Sequence, residues 1–181
     1  MISYERELEI RYKAIFLLEN CKINVRKPIL VKDIIKNCEH KIMLINRRLD
    51  GVLGFSCYHE QTDSYLVVTD IEENKLFRRY RFTLAHEIGH IELGHLKDIC
   101  PSSMKFENRI LEREASVFAE ELLMPTTRCM IHNLDTSEKI SQYYNVSKEA
   151  ADIKFKNLKD NAVYNEYLDS QLYYMIRSEK L

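Results

Sequence analysis

Apolar side chains first recur at helical spacing. Over residues 4–18, Leu8, Tyr12 and Ile15 fall on one face with charges between them, which predicts an amphipathic helix. A second, shorter helix follows Pro28 and carries Val31, Ile34, Ile35 and Cys38 on one side. The pattern then changes character. KIMLIN (41–46), VLGFSCYH (52–59) and SYLVVT (64–69) are rich in β-branched and aromatic residues. Asp50-Gly51 and Gln61-Thr62-Asp63 separate these runs as turn formers, so the expectation is a small antiparallel sheet. From residue 75 onward every strong signal is helical, and the fold class read from this order is α+β.

Chemistry concentrates in RFTLAHEIGHIELGH, residues 81–95. His86 and His90 are four residues apart, so on a helix their rings leave the same face one turn apart. That spacing suits two imidazole nitrogens binding one zinc ion at roughly 2.0–2.1 Å. Glu87 points to the side of the pair, where its carboxylate can take a proton from water activated by the metal. Leu84, Ile88 and Ile91 form an apolar stripe beside that face. Burying two histidines and a glutamate without partners is costly, and a metal with its water satisfies all three. Gly89 leaves room for a neighbouring element, and Gly94 suits a helix C-cap. His95 follows His90 by only five residues, one short of the HExxHxxGxxH spacing, and reads as a residue behind the ligands or on the surface.

A His₂Glu zinc site takes its third ligand from elsewhere. ENRILEREASVFAEELLMP (107–125) predicts a second helix, ended by Pro125, with Leu111, Ala115, Phe118, Ala119 and Leu122 as its buried stripe. Glu112 and Glu114 lie on opposite edges of the stripe. The reading prefers Glu112 as ligand and Glu114 as a solvated charge.

SEKISQYYNVSKEAADIKFKNL (137–158) predicts two short helices, the first ending near Asn145 and the second capped by Ser147. The shape is helix–turn–helix, with Ile140, Val146, Ala150, Ile153 and Leu158 as its core. Lys148-Glu149 opens the second helix, a poor start for base readout, so packing or substrate docking is preferred to DNA binding. Tyr164, Leu168, Leu172 and Met175 form a further helical stripe.

Composition narrows the setting. Lys and Arg total 27 against 28 Asp and Glu, for a net charge of −1, which offers no basic arm for nucleic acid. Cys21, Cys38, Cys57, Cys100 and Cys129 are odd in number and scattered, with no CxxC pair, so free thiols in a reducing cytoplasm are expected. MISYERELEIRYK lacks the apolar segment of a signal peptide, and no apolar run reaches the roughly 20 residues of a membrane span.

RFTLAHEIGH, followed by E-x-x-A-x-x-FA-x-x-LLMP, resembles the ImmA/IrrE family of bacterial metallopeptidases over roughly residues 40–125. The resemblance implies a zincin-like core over residues 1–125, followed by a helical, helix–turn–helix-like extension over 126–181. It implies zinc held by His86, His90 and Glu112, with Glu87 as catalytic base. It also implies a DNA-binding repressor protein as substrate, in an anti-repressor role within a prophage or mobile element. Ser116 departs from the pattern, since the family often has Asn or Asp after the alanine. Two rival readings remain open at this level: a metal-binding regulator that grips the repressor without cutting it, and a DNA-binding regulator acting through 137–158. Tyr58, Tyr80 and His132 are conceivable oxyanion stabilisers, with nothing to choose among them.

Overall fold

The computed structural model describes residues 2–25, 28–70, 77–97 and 108–160. Cys100, residue 107 of the 107–125 run and the 164–175 stripe lie outside them. The chain divides into two compact units, Met1–Leu123 and Met124–Leu181.

In the first unit, helices α1 (Tyr4–Asn20) and α2 (Val31–Asn37) precede strands β1 (Ile42–Arg47), β2 (Gly54–His59) and β3 (Ser64–Asp70). Helices α3 (Phe77–Glu92) and α4 (Arg109–Leu123) complete it. The sheet packs on α3, α3 on α4, and α4 on α1.

The strand order is β1-β3-β2, and the sheet is mixed rather than wholly antiparallel. β2 and β3 form the expected antiparallel hairpin, whereas β1 pairs parallel to β3. The chain leaves β1, skips one position to lay down β2, and returns through the gap. Tyr65, Val67 and Val68 are buried on β3, so this strand gains most from the centre, where it is covered on both edges. β1 stays at an edge, with Met43 and Ile45 exposed.

α1 forms where expected, but its buried face is Ile10, Ala14, Ile15, Leu17 and Leu18 together with Arg11. Tyr12 is exposed and Leu8 half-buried. The charge of Arg11 masked this face, because its guanidinium is buried only by virtue of ion pairs to Glu121 on α4 (2.7 Å) and Glu7 (2.8 Å).

The second unit holds α5 (Thr126–Ile131), α6 (Ser137–Tyr144) and α7 (Lys148–Asp160). Asn145 ends α6 in the left-handed conformation (φ 51°), and the Ala150 amide donates to Ser147 Oγ, as anticipated for this turn. Ile140 and Val146 are buried, but α7 turns Ala151 and Lys154 inward and leaves Ile153 exposed. The Lys154 ammonium is satisfied there by Thr126 Oγ1 at 2.8 Å.

No helix among the described residues is long and apolar enough to cross a membrane. Cys21, Cys38, Cys57 and Cys129 are free thiols.

Candidate metal centre

α3 is buried through Leu84, Ala85, Ile88 and Ile91, and this fixes its rotation so that His86 and His90 face α4. The two helices approach closely at Gly89. A Cβ there would lie 3.1 Å from the Ala115 carbonyl oxygen and 3.2 Å from a Phe118 ring carbon. This close crossing brings Glu112, in the first turn of α4, over the histidine pair.

His86 Nε2 lies 3.1 Å from His90 Nε2 and 3.1 Å from Glu112 Oε2, and His90 Nε2 lies 3.4 Å from Glu112 Oε1. Donor atoms bound tetrahedrally at roughly 2.0–2.1 Å from one centre stand about 3.3 Å apart. The three side chains therefore fit a single ion, and among the described residues they are the one His/Cys/Asp/Glu group so clustered. Burial, reinforced by the neighbouring imidazoles, holds His90 down to about 4, in the neutral form that ligates a metal. The hydrogen bond with His86 holds the Glu112 carboxyl below its ordinary value.

Ligand orientation comes from a second layer of contacts. The Ser116 hydroxyl donates to the Glu112 carbonyl at 2.8 Å and stands 3.4 Å from His86 Nδ1, able to accept from it. A serine here thus faces the first histidine. Glu114 corrects the expectation of a solvated charge. It is buried and receives Arg6 Nη2 (2.6 Å) and Arg6 Nε (3.0 Å) from α1. Glu112 has the more exposed of the two carboxylates, so its place one turn before Ala115 and Ser116 on the same side of α4, not depth in the core, sets which one meets the histidines.

His95 is buried, not on the surface. Gly94 (φ 76°) closes α3 with paired hydrogen bonds, from the His95 amide to the His90 carbonyl and from the Gly94 amide to Ile91. That Schellman geometry folds His95 back over His90. Its Nδ1 lies 3.0 Å from His90 Nδ1, and its Nε2 lies 3.1 Å from Glu114 Oε2.

Glu87 sits beside the cluster, buried, and receives the Ser56 hydroxyl from β2 at 2.6 Å. Burial raises its carboxyl above the ordinary value, and the Ser56 bond opposes that rise. Neither Ser56 nor Arg6 was legible as a site residue. Small side chains at alternate positions, Gly54 and Ser56, were the available sign that β2 faces a closely packed helix. No local signal marks Arg6.

The oxyanion candidates each have a local partner. The Tyr58 hydroxyl donates to Asp63 at 2.7 Å, the Tyr80 hydroxyl lies 3.5 Å from Asn46 Oδ1, and His132 belongs to the second unit, against Tyr143.

Residues 70–156 match the family model of the IrrE N-terminal-like domain, Peptidase M78. The match begins later than the expected resemblance and runs on through most of α7. No curated protein matches the chain.

Proposed function

The chain carries an ImmA/IrrE-family metallopeptidase domain over residues 70–156, and on that premise we propose that it is a zinc-dependent endopeptidase whose substrate is a helix–turn–helix repressor protein. The observation that supports this reading most is the convergence of His86, His90 and Glu112 with a buried carboxylate, Glu87, beside them. His86, His90 and Glu112 would hold the zinc. The ion supplies Lewis acidity, which polarises a peptide carbonyl and makes water a stronger acid.

The remaining steps belong to the chain. Glu87 takes the proton of the attacking water and delivers it to the leaving amine nitrogen, as a general base and then a general acid. A carboxyl raised by burial is suited to both directions of transfer, since its proton affinity is nearer that of its partners. The Ser56 hydroxyl holds one oxygen of Glu87, leaving the other free to handle the proton. Selectivity in a cytoplasmic protease calls for docking, and residues 126–181, which carry none of the candidate ligands or the base, would supply it. Cleavage of the repressor would relieve repression in a prophage or mobile element.

A regulator that only grips its partner has no need of a buried, hydrogen-bonded carboxylate next to the metal donors. Direct DNA readout by α7 is the weaker reading, because Lys148-Glu149 opens the helix where base-reading side chains would be needed.

The test is incubation of a purified helix–turn–helix repressor encoded beside this chain with the zinc-loaded protein, with the same protein plus a chelator, and with Glu87→Gln. Cleavage confined to the first reaction is expected. Cleavage that survives Glu87→Gln, or an intact repressor in all three, overturns the proposal.

A further inference from the structure

Arg6, Glu114, His95 and His90 form one continuous hydrogen-bonded chain, drawn from α1, α4, the α3 cap and α3 itself. Its proton positions can be worked out from the outer end. Arg6 donates twice to Glu114, at 2.6 and 3.0 Å, so Glu114 is an ionised carboxylate and only accepts. His95 Nε2 lies 3.1 Å from Glu114 Oε2 and must therefore carry the hydrogen. In a neutral imidazole the other nitrogen is then a bare acceptor. That nitrogen, His95 Nδ1, faces His90 Nδ1 at 3.0 Å, so His90 must donate from Nδ1. The His90 lone pair is left on Nε2, the atom that faces His86 and Glu112.

We propose that His95 is a positioning residue that locks the His90 ring in its Nδ1–H form and aims the Nε2 lone pair at the metal. The assignment rests on the zinc reading of the site but makes a claim about the metal-free protein as well. It gives His95, five residues past His90, a purpose that helical spacing conceals. On an unbroken helix the two rings would point about 140° apart (five residues at 3.6 per turn). The left-handed Gly94 reverses the chain and brings their Nδ1 atoms to 3.0 Å, with the ring planes at 70° to each other. A neutral histidine is also the fitting mediator. A carboxylate placed directly on His90 would add negative charge behind the ligand, whereas His95 passes on the orienting hydrogen bond and keeps Glu114 one ring away.

The test uses full-length protein labelled with ¹⁵N-histidine, in three forms: wild type, His95→Phe and His95→Asn. Phe keeps the ring volume without an acceptor. Asn keeps an acceptor oxygen near the Nδ1 position. Histidine ¹⁵N spectra of the metal-free proteins should show His90 protonated at Nδ1 in wild type and His95→Asn, and a mixture of ring forms in His95→Phe. Zinc affinity, measured by competition with a chromophoric chelator, should fall roughly 10–100-fold in His95→Phe and recover most of that loss in His95→Asn. Thermal unfolding of each variant separates these effects from loss of fold. An unchanged His90 spectrum in a folded His95→Phe overturns the proposal, as does equal loss of zinc in Phe and Asn. If the wild-type chain bound no zinc, the family reading would fail, while the metal-free spectra would still decide the role of His95.

Discussion

Ser56 Oγ donates to Glu87 Oε2 at 2.6 Å, joining the middle of β2 to the middle of α3. The pair is one rung of a longer match between strand and helix. Two positions earlier on β2, a Cβ on Gly54 would lie 2.8 Å from Thr83 Cγ2, four positions earlier on α3. Two strand residues advance about 6.7 Å and four helical residues about 6.0 Å, so the elements stay in step across this span. Small side chains on β2 let the helix approach, and the hydroxyl then satisfies a carboxylate that would otherwise be buried alone.

Ser56→Ala should lower kcat on the repressor by roughly 10–100-fold, the equivalent of losing one hydrogen bond to a charged group, about 1.5–3 kcal/mol. Zinc affinity should change little, because Ser56 touches no candidate ligand. Steady-state kinetics beside a chelator titration would check both halves. A large loss of zinc would place Ser56 in the ligand scaffold instead.

Glu87→Gln should fold, retain zinc and lose proteolysis. The amide keeps the shape and a partner for Ser56 but carries no proton acceptor of comparable strength. Metal analysis and repressor cleavage on the same preparation test this. Zinc lost together with activity would mean that Glu87 is a ligand.

Purified protein reconstituted with zinc should hold about one equivalent, since one cluster of donors is present among the described residues. Glu112→Ala should weaken binding more than Glu114→Gln does. Glu112 places oxygens 3.1 and 3.4 Å from the two imidazole nitrogens, while Glu114 acts only through His95. Chelator competition on the two variants gives the order, and the reverse order would exchange their roles.

The parts of this site that were legible in the sequence are local ones. His86, Glu87 and His90 lie within one turn and a half of helix, and Gly94 and Asn145 each impose a backbone conformation that needs no partner to be recognised. What escaped depends on pairing across the chain. Arg6 meets Glu114 over 108 residues and Arg11 meets Glu121 over 110, so charges that look solvated are buried. Lys154 misleads in the same way on α7. The strand order escaped because turns fix only which strands are consecutive, and β3 had to displace β1 from the side of β2. Its unbroken Leu66-Val67-Val68 run was the signal for a central strand.

Arg6 and Glu114 also predict a pH response. The ion pair with Arg6, assisted by His95, holds the Glu114 carboxyl below its ordinary 4.5. A carboxyl depressed in the folded state contributes stability above that value and loses it as pH falls through the folded one. Urea unfolding of the metal-free protein should therefore show stability declining below about pH 4.5, with a shallower decline in Arg6→Met. Parallel curves for the two proteins would show that the pair contributes nothing to acid sensitivity.

Gly89→Ala sets two effects against each other at the helix crossing. Alanine favours a helix over glycine by roughly 1 kcal/mol. Here its methyl would stand 3.1 Å from the Ala115 carbonyl oxygen and 3.2 Å from Ala115 Cα, backbone atoms that cannot swing aside as a side chain can. Relief requires α3 and α4 to part by a few tenths of an ångström, and overpacking of this kind costs about 1–3 kcal/mol. The crossing should prevail, leaving the variant less stable by up to about 2 kcal/mol once the propensity gain is subtracted. The same separation would draw Glu112 away from His86 and His90, so zinc affinity should fall although no ligand has changed. Chemical denaturation and chelator competition on Gly89→Ala measure the two effects. A variant that is more stable than wild type and binds zinc equally well would show that the crossing is slack, and that Glu112 reaches the histidines by its own flexibility.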